Sequence, residues 1–220
     1  MDRKLIESLS FYPHLNRDEE ELFLRNTRIE HFKQGELVYS PGRECLGMIR
    51  VVSGSIRTFM VSEDGRKATI FRLREGEICV LSMSCVLSSV TFDVEVEAAE
   101  DTELLIIPAA VFAMVEKKNV YVENFSYHIL ADRLSDLIEA VQQMMFFSLE
   151  QRVASHLLDE SSARKSDVLL MTQEEVAENI GSAREAVSRI LKKLKEKDLI
   201  SVERGKISLL DKKGLYGLLS

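Results

Sequence analysis

The stretch 172–197, TQEEVAENIGSAREAVSRILKKLKEK, leaves the chain few ways to fold. Thr172 followed three residues later by Glu175 is a capping box, in which hydroxyl and carboxylate each satisfy a backbone donor that a helix start leaves unpaired. Val176, Ala177 and Ile180 then give one apolar side. Gly181 supplies a turn, because a residue without Cβ enters positive φ at no steric cost. Ser182 followed by Glu185 reads as a second capping box. Ala183, Val187, Ile190, Leu191 and Leu194 recur at helical spacing, so the segment predicts two short helices joined by a tight turn.

The opposite side of the second predicted helix carries Glu185, Ser188, Arg189 and Lys192, with Arg184 on its flank. On an isolated helix such a face is ordinarily just solvated. In a helix-turn-helix frame it gains another role, because the first turns of the second helix enter the DNA major groove. There an arginine bonds guanine through two parallel hydrogen bonds, a carboxylate accepts from cytosine, and a short hydroxyl meets several bases. Arg184, Glu185, Ser188 and Arg189 are therefore the candidate base-reading residues. Thr172, Ser182 and Lys192 are candidates for phosphate contact, joined further along by Arg204 and Lys206.

Arg184-Glu185-Ala186-Val187-Ser188-Arg189 resembles the Arg-Glu-x-x-x-Arg pattern of the cyclic-AMP receptor protein and fumarate–nitrate regulator (CRP/FNR) superfamily of bacterial transcription factors. Glu185, Ser188 and Arg189 also match the Glu-x-x-Ser-Arg form of the fumarate–nitrate regulator branch. Ala183 and Ala186 stand where that family often has small hydroxyl residues, a departure that removes potential phosphate contacts. The resemblance, looser elsewhere, extends over nearly the whole chain. It implies an α+β protein: an N-terminal cyclic-nucleotide-binding-like antiparallel β-roll, a long dimerisation helix and a C-terminal winged helix-turn-helix. The expected boundaries are 1–115 for an effector-sensing β-roll domain with N-terminal helices, 116–148 for the dimerisation helix and 149–220 for the winged-helix DNA-binding domain.

The net charge of −7 argues at first against nucleic acid. The average hides a division, since residues 181–213 carry ten Lys/Arg and five Asp/Glu, or +5. Residues 214–220 are uncharged, which leaves −12 for residues 1–180 (−7 less +5). A basic module on an acidic body favours local DNA binding and opposes non-specific adhesion. No apolar run is long enough to span a membrane, and MDRKLIESLS lacks a signal-peptide core, so the expected location is cytoplasmic and the three cysteines are expected to be reduced.

Residues 1–30 read as short helices, with Leu5, Ile6, Leu9 and Phe11 forming one apolar cluster and Asn16 capping the helix that follows. From Phe32 to about Pro108 short β-prone runs alternate with turn signals at Gly35, Pro41-Gly42, Ser53-Gly54, Asp64-Gly65 and Gly76, the pattern of a small antiparallel barrel or roll. Asp64-Gly65 is the strongest hairpin turn among them. Lys33-Gln34-Gly35-Glu36, Ser53-Gly54-Ser55-Ile56-Arg57 and Gly76-Glu77 resemble the superfamily's β-roll. That resemblance implies an Arg-Ser or Arg-Thr pair holding a cyclic phosphate, and here the pair falls near Phe92-Asp93. No arginine lies between Arg74 and Arg133, and Asp93, Glu95 and Glu97 alternate onto one strand face. Carboxylates there repel a buried phosphate, so an effector other than cyclic AMP is expected.

Cys79, Cys85, Phe92 and Asp93 mark the expected effector region. Two buried cysteines packing as small hydrophobes account for Cys79 and Cys85, while a thiol-redox sensor stays open. An iron–sulfur cluster is not expected, because four thiolates are normally needed and the chain has Cys45, Cys79 and Cys85. Haem held through His14, His31, His128, His156 or a cysteine remains an alternative, and no other metal site is expected.

Between Tyr121 and Phe147 no Gly or Pro occurs, and Leu130, Leu134, Leu137, Val141 and Met144 alternate spacings of four and three. That is a coiled-coil seam, the expected homodimer interface; a helix packed on its own β-roll is the competing explanation. Met144-Met145-Phe146-Phe147 adds a soft apolar cluster near the junction with the C-terminal module. Residues 149–160 predict an amphipathic helix with Val153, Leu157 and Leu158 inward, and 161–167 a polar loop. Leu199–Val202 and Lys206–Leu209 predict two strands of a wing, and Asp211 a cap on a closing helix through Leu218. The chain is thus expected to be a homodimeric transcription regulator that reads an inverted repeat in double-stranded DNA, meets RNA polymerase if it activates, and answers to a small-molecule effector. It offers no nucleophile–base set, metal box or phosphate loop, so no enzyme is expected; an interaction module that does not bind DNA is the rival from another class.

Overall fold

The computed structural model describes residues 3–41, 46–63, 65, 67–79 and 94–219. Cys45, Asp64, Cys85, Phe92 and Asp93 lie outside these residues, as does the side chain of Cys79. The chain divides into two compact units, Met1–Phe59 with Phe71–Leu137, and Met60–Ile70 with Ile138–Ser220.

In the first unit, α1 (Arg3–Glu7) and α2 (Arg17–Asn26) precede the strands, with a single 3-10 turn at Tyr12–His14 between them. Asn16 starts α2 through a full capping box with Glu19: the Glu19 N–H donates to Asn16 Oδ1 at 3.0 Å and the Asn16 N–H to Glu19 Oε2 at 2.9 Å. Strand β1 (Arg28–Phe32) begins sooner than the change of periodicity predicts. It is followed by β2 (Leu37–Tyr39), β3 (Met48–Ser53), β4 (Ser55–Val61), β5 (Lys67–Arg74), β6 (Ile78–Cys79), β7 (Glu95–Ala98) and β8 (Thr102–Ile107). These form two four-stranded sheets, β1-β8-β3-β6 and β2-β7-β4-β5.

Strand β8, TELLII, is apolar without alternation because it is covered on both faces. Leu104 and Ile106 join Val38, Ile49, Val51, Ile56, Leu73 and Val96 in a core drawn from both sheets. Leu105 and Ile107 face the other way, into a core with Ile6, Leu9, Phe11, Phe23, Phe112 and Val122. The N-terminal apolar cluster thus covers the outer face of one sheet, and Phe11 lies edge-on to Phe125 with ring centroids 4.9 Å apart.

Helix α3 (Ala109–Glu116) leads into α4 (Val120–Phe146), an uninterrupted helix of 27 residues. Its first turns are anchored in the second of those cores through Val122 and Ile129. Among the described residues, no helix is long and apolar enough to cross a membrane.

The second unit contains α5 (Leu149–Arg164), β9 (Val168–Leu169), α6 (Gln173–Ile180), α7 (Arg184–Glu196), β10 (Ile200–Glu203), β11 (Lys206–Leu209) and α8 (Lys212–Gly217). Helix α5 runs four residues beyond its predicted end at 160, so the expected polar loop 161–167 is mostly helix. Polarity was a poor guide there because Glu160 and Ser161 are buried, at 4% and 0% exposure, each with a partner: Arg164 Nε donates to Glu160 at 3.0 Å and Ser161 Oγ to Asp167 at 3.1 Å. The wing is a three-stranded sheet, β10-β11-β9, and its third strand is too short to be visible in the sequence. Asp211 caps α8 by accepting the Gly214 N–H at 3.0 Å, as predicted.

Candidate nucleic-acid interface

The helix pair α6–α7 forms at the predicted residues. Thr172 and Glu175 make both bonds of the capping box, the Glu175 N–H donating to the Thr172 hydroxyl at 3.2 Å and the Thr172 N–H to the Glu175 carboxylate at 2.6 Å. Val176, Ala177 and Ile180 are buried, and Gly181 ends α6 at φ +63°. Arg152 on α5 secures the same helix end by donating from Nη1 to the Ile180 carbonyl at 3.1 Å. Within the second unit, which takes in residues 60–70 and so the first part of β5, Asn179 accepts from the Thr69 hydroxyl at 3.3 Å and its Nδ2 lies 3.2 Å from His156 Nε2.

The second capping box does not form. Ala183, at φ −74° and ψ 140°, occupies the N-cap position, and α7 begins at Arg184 without any side-chain cap. Ser182 lies one residue too early and Glu185 is the second helical residue rather than the third, so the pair is out of register. Ala183 is exposed and does not belong to the apolar side. Val187, Leu191 and Leu194 are buried as predicted, with Ile190 half-buried against the same core.

Glu185, Arg189, Lys192 and Arg184 are exposed, and Ser188 is half-buried. Arg184, Glu185, Ser188 and Arg189 line one open concavity of about 420 Å³ with Gln173 from the start of α6. A neighbouring concavity of about 390 Å³ brings Thr172, Gln173, Glu174 and Arg184 against Glu203, Arg204 and Gly205 of the wing. The structure therefore unites the four predicted base readers, and it sets Thr172 and Arg204 beside them. Ser182, Lys192 and Lys206 line neither concavity. Lys206 lies 3.3 Å from Glu203 and Lys192 lies 3.9 Å from Glu196, which tempers their charge.

Gln173 and Glu174 were missed by sequence reasoning. The signal was available, since a residue that caps α6 at 172 places the next two side chains on its first turn, beside the start of α7. Arg184 Nε lies 3.5 Å from Glu174 Oε2.

At its far end α7 is tied to α5 by Glu150, which accepts from Lys193 and, at 2.9 Å, from Lys197. These lysine hydrogen bonds hold the Glu150 carboxyl below its ordinary value. A lowered folded pKa stabilises fully above the unfolded carboxylate range, and this contribution disappears as the pH falls through the folded value. The lysines are half-exposed, so screening limits the effect. Glu150→Gln is expected to lower stability by about 1 kcal/mol at neutral pH. Urea unfolding at neutral pH and again below the folded pKa checks this, because the difference between variant and parent should vanish at the lower pH.

Residues 29–119 match the cyclic nucleotide-binding domain family and residues 151–218 the Crp-like helix-turn-helix domain family. The structure is similar to that of a CRP/FNR-family transcriptional regulator from Eubacterium rectale, with 36% sequence identity, 96% of this chain and 97% of that chain covered, and a TM-score of 0.92. The chain belongs to the CRP/FNR family of transcriptional regulators. Its relatives include the transcriptional activator protein FnrA of Stutzerimonas stutzeri, 26% identical with 84% of this chain and 78% of that protein covered. They also include the cAMP-activated global transcriptional regulator CRP of Salmonella typhimurium, 23% identical with 82% of this chain and 89% of that protein covered. As a member of this family the protein is a DNA-binding regulator, and α6–α7 with the β10–β11 wing is its DNA-binding module. The family is regulatory rather than enzymatic.

The β-roll adds a finding that bears on its ligand. Glu95 and Glu97 share a face of β7, as expected, but Arg57 on β4 is paired with Glu97 and its Nε donates to that carboxylate at 2.7 Å. Arg57 is buried and Glu97 only 12% exposed, and the Arg57 guanidinium lies over the Phe59 ring at 4.9 Å. The acidic face read from residues 93–97 is thus offset by an arginine from the neighbouring strand. Among the described residues no group of His, Cys, Asp and Glu could hold a metal ion.

Proposed function

We propose that the protein acts as a homodimer that reads an inverted repeat in double-stranded DNA, under the control of an effector other than cyclic AMP at the β-roll. The observation that carries the dimer is α4. Leu130, Leu134, Leu137, Val141 and Met144 are 39%, 54%, 43%, 46% and 50% exposed, a continuous apolar seam along a single helix. Tyr127 and Ile138 widen it. A seam of this length in water is normally covered, and two copies of it make a two-fold coiled coil that duplicates the reading helix.

On each half-site Arg184, Glu185, Ser188 and Arg189 meet base edges, while Thr172, Ser182, Lys192, Arg204 and Lys206 meet phosphates. The lack of a side-chain cap at the start of α7 fits a nearby phosphate, since the first N–H groups of a helix favour an anion. The effector acts by population shift, favouring one arrangement of the paired α4 helices and so one spacing of the recognition helices. RNA polymerase is the further partner where the outcome is activation.

Against cyclic AMP stand the residues near Phe92-Asp93, which supply no arginine for the phosphate. DNA affinity measured across a titration of cyclic AMP tests this. No change is expected, and a tenfold or larger rise in affinity, equivalent to about 1.4 kcal/mol, contradicts it.

A further inference from the structure

Glu174 stands at the DNA-facing side of the module, where a carboxylate is otherwise unwelcome beside phosphates. It lines the same concavity as Arg184 and Arg204. Its carboxylate comes within ion-pair distance of the Arg184 guanidinium, with Oε2 3.5 Å from Nε. We propose that Glu174 is a positioning residue, which holds the Nε edge of Arg184 so that the two terminal amino groups point at a base edge instead of the nearest phosphate. This rests on the reading of Arg184 as a base-contacting residue.

Arginine presents five donors in a fixed fork, and two parallel donors suffice for guanine O6 and N7. A carboxylate that closes onto Nε in the complex leaves that pair for the base. A free arginine on an exposed helix start has many rotamers and an abundant competing target, since phosphate oxygens flank every base pair and carry no sequence information. Glu174 limits both: it restricts the side chain, and its negative charge disfavours a phosphate at that place.

The ion pair itself is exposed, at 63% for Arg184 and 59% for Glu174, so in the free protein it contributes little to stability. Its effect is expected in the complex, where water is displaced. Glu174 also lies in the first turn of α6, where any acid is favoured by the helix dipole. The dipole alone gives no reason for an effect at one base position, and this separates the two explanations.

The test is quantitative binding, at fixed salt, of the full-length protein to every single-base variant of its selected half-site and to unrelated DNA. The proteins are the parent, Glu174→Gln, Glu174→Asp, Arg184→Ala and Glu174→Gln with Arg184→Ala. Arg184→Ala should flatten the preference at one position. Glu174→Gln should reduce discrimination at that same position by about 3- to 10-fold, while affinity for unrelated DNA rises by about 2- to 5-fold as a negative charge is lost. Glu174→Asp keeps the charge but withdraws the carboxylate by one methylene, so it should lose discrimination without gaining non-specific affinity. In the Arg184→Ala background, Glu174→Gln should have no effect at that position.

If Arg184→Ala flattens a position that Glu174→Gln leaves intact, or if the Glu174→Gln effect at that position persists without Arg184, the positioning role is overturned and the base-reading role of Arg184 stands. If Arg184→Ala leaves every position discriminated, the base-reading role itself fails, and the positioning role with it.

Discussion

Leu134→Glu is expected to leave each protomer folded, to convert the dimer to monomers, and to lower affinity for an intact inverted repeat by at least ~100-fold. Leu134 lies in the middle of the α4 seam and belongs to none of the buried cores, so little intramolecular packing depends on it. Burial of a leucine contributes about 1.5–3 kcal/mol. Two-fold symmetry places each seam residue in the interface twice, and an unpaired carboxylate facing its own copy adds a desolvation cost. Loss of the dimer then removes the gain from binding two half-sites at once. Sedimentation equilibrium and binding to full and half-sites measure both effects. A variant that stays dimeric would assign the interface elsewhere, and the exposed seam would need another cover.

Arg189→Ala is expected to weaken binding to the selected site by about 1–3 kcal/mol and to relax the preference at one G·C pair, with little change on unrelated DNA. Arg189 is exposed on the second turn of α7, in the concavity it shares with Arg184, Glu185, Ser188 and Gln173. Lys192→Ala makes the contrast. A lysine that meets only phosphate should cost similar affinity on every sequence and reduce the salt slope by about one. Binding isotherms at several salt concentrations separate the two patterns. Equal loss on all sequences for Arg189→Ala would make it a phosphate contact.

What the sequence made legible was whatever rested on local pattern. The capping box at Thr172 and Glu175, the turn at Gly181 and the cap at Asp211 each depend on a few adjacent residues, and each formed as read. The length of α4 was legible because neither Gly nor Pro interrupts the chain between Tyr121 and Phe147.

The misreadings came where residue spacing and polarity do not decide the outcome. Ser182 and Glu185 have the spacing of a capping box, but Ala183 takes the cap position, a matter of backbone register that spacing cannot reveal. Residues 161–164 look like a polar loop, yet burial of Ser161 and Glu160 against paired groups extends α5 through them. Arg57 lies 40 residues from Glu97, so the offset of the acidic face of β7 depended on strand pairing between β4 and β7. Glu174 was legible from the cap at Thr172, but its approach to Arg184 appears only once the two helices are placed side by side.

The most direct test of the central claim is selection of bound sequences from a random DNA pool by the purified protein at fixed salt. It is run both alone and with the small-molecule fraction of a cell extract, so that an obligatory effector is supplied. The account predicts enrichment of an inverted repeat with a G·C pair in each half-site, in at least one of the two conditions. Absence of an inverted repeat in both, or enrichment of a single unrepeated half-site by the dimer, would contradict it.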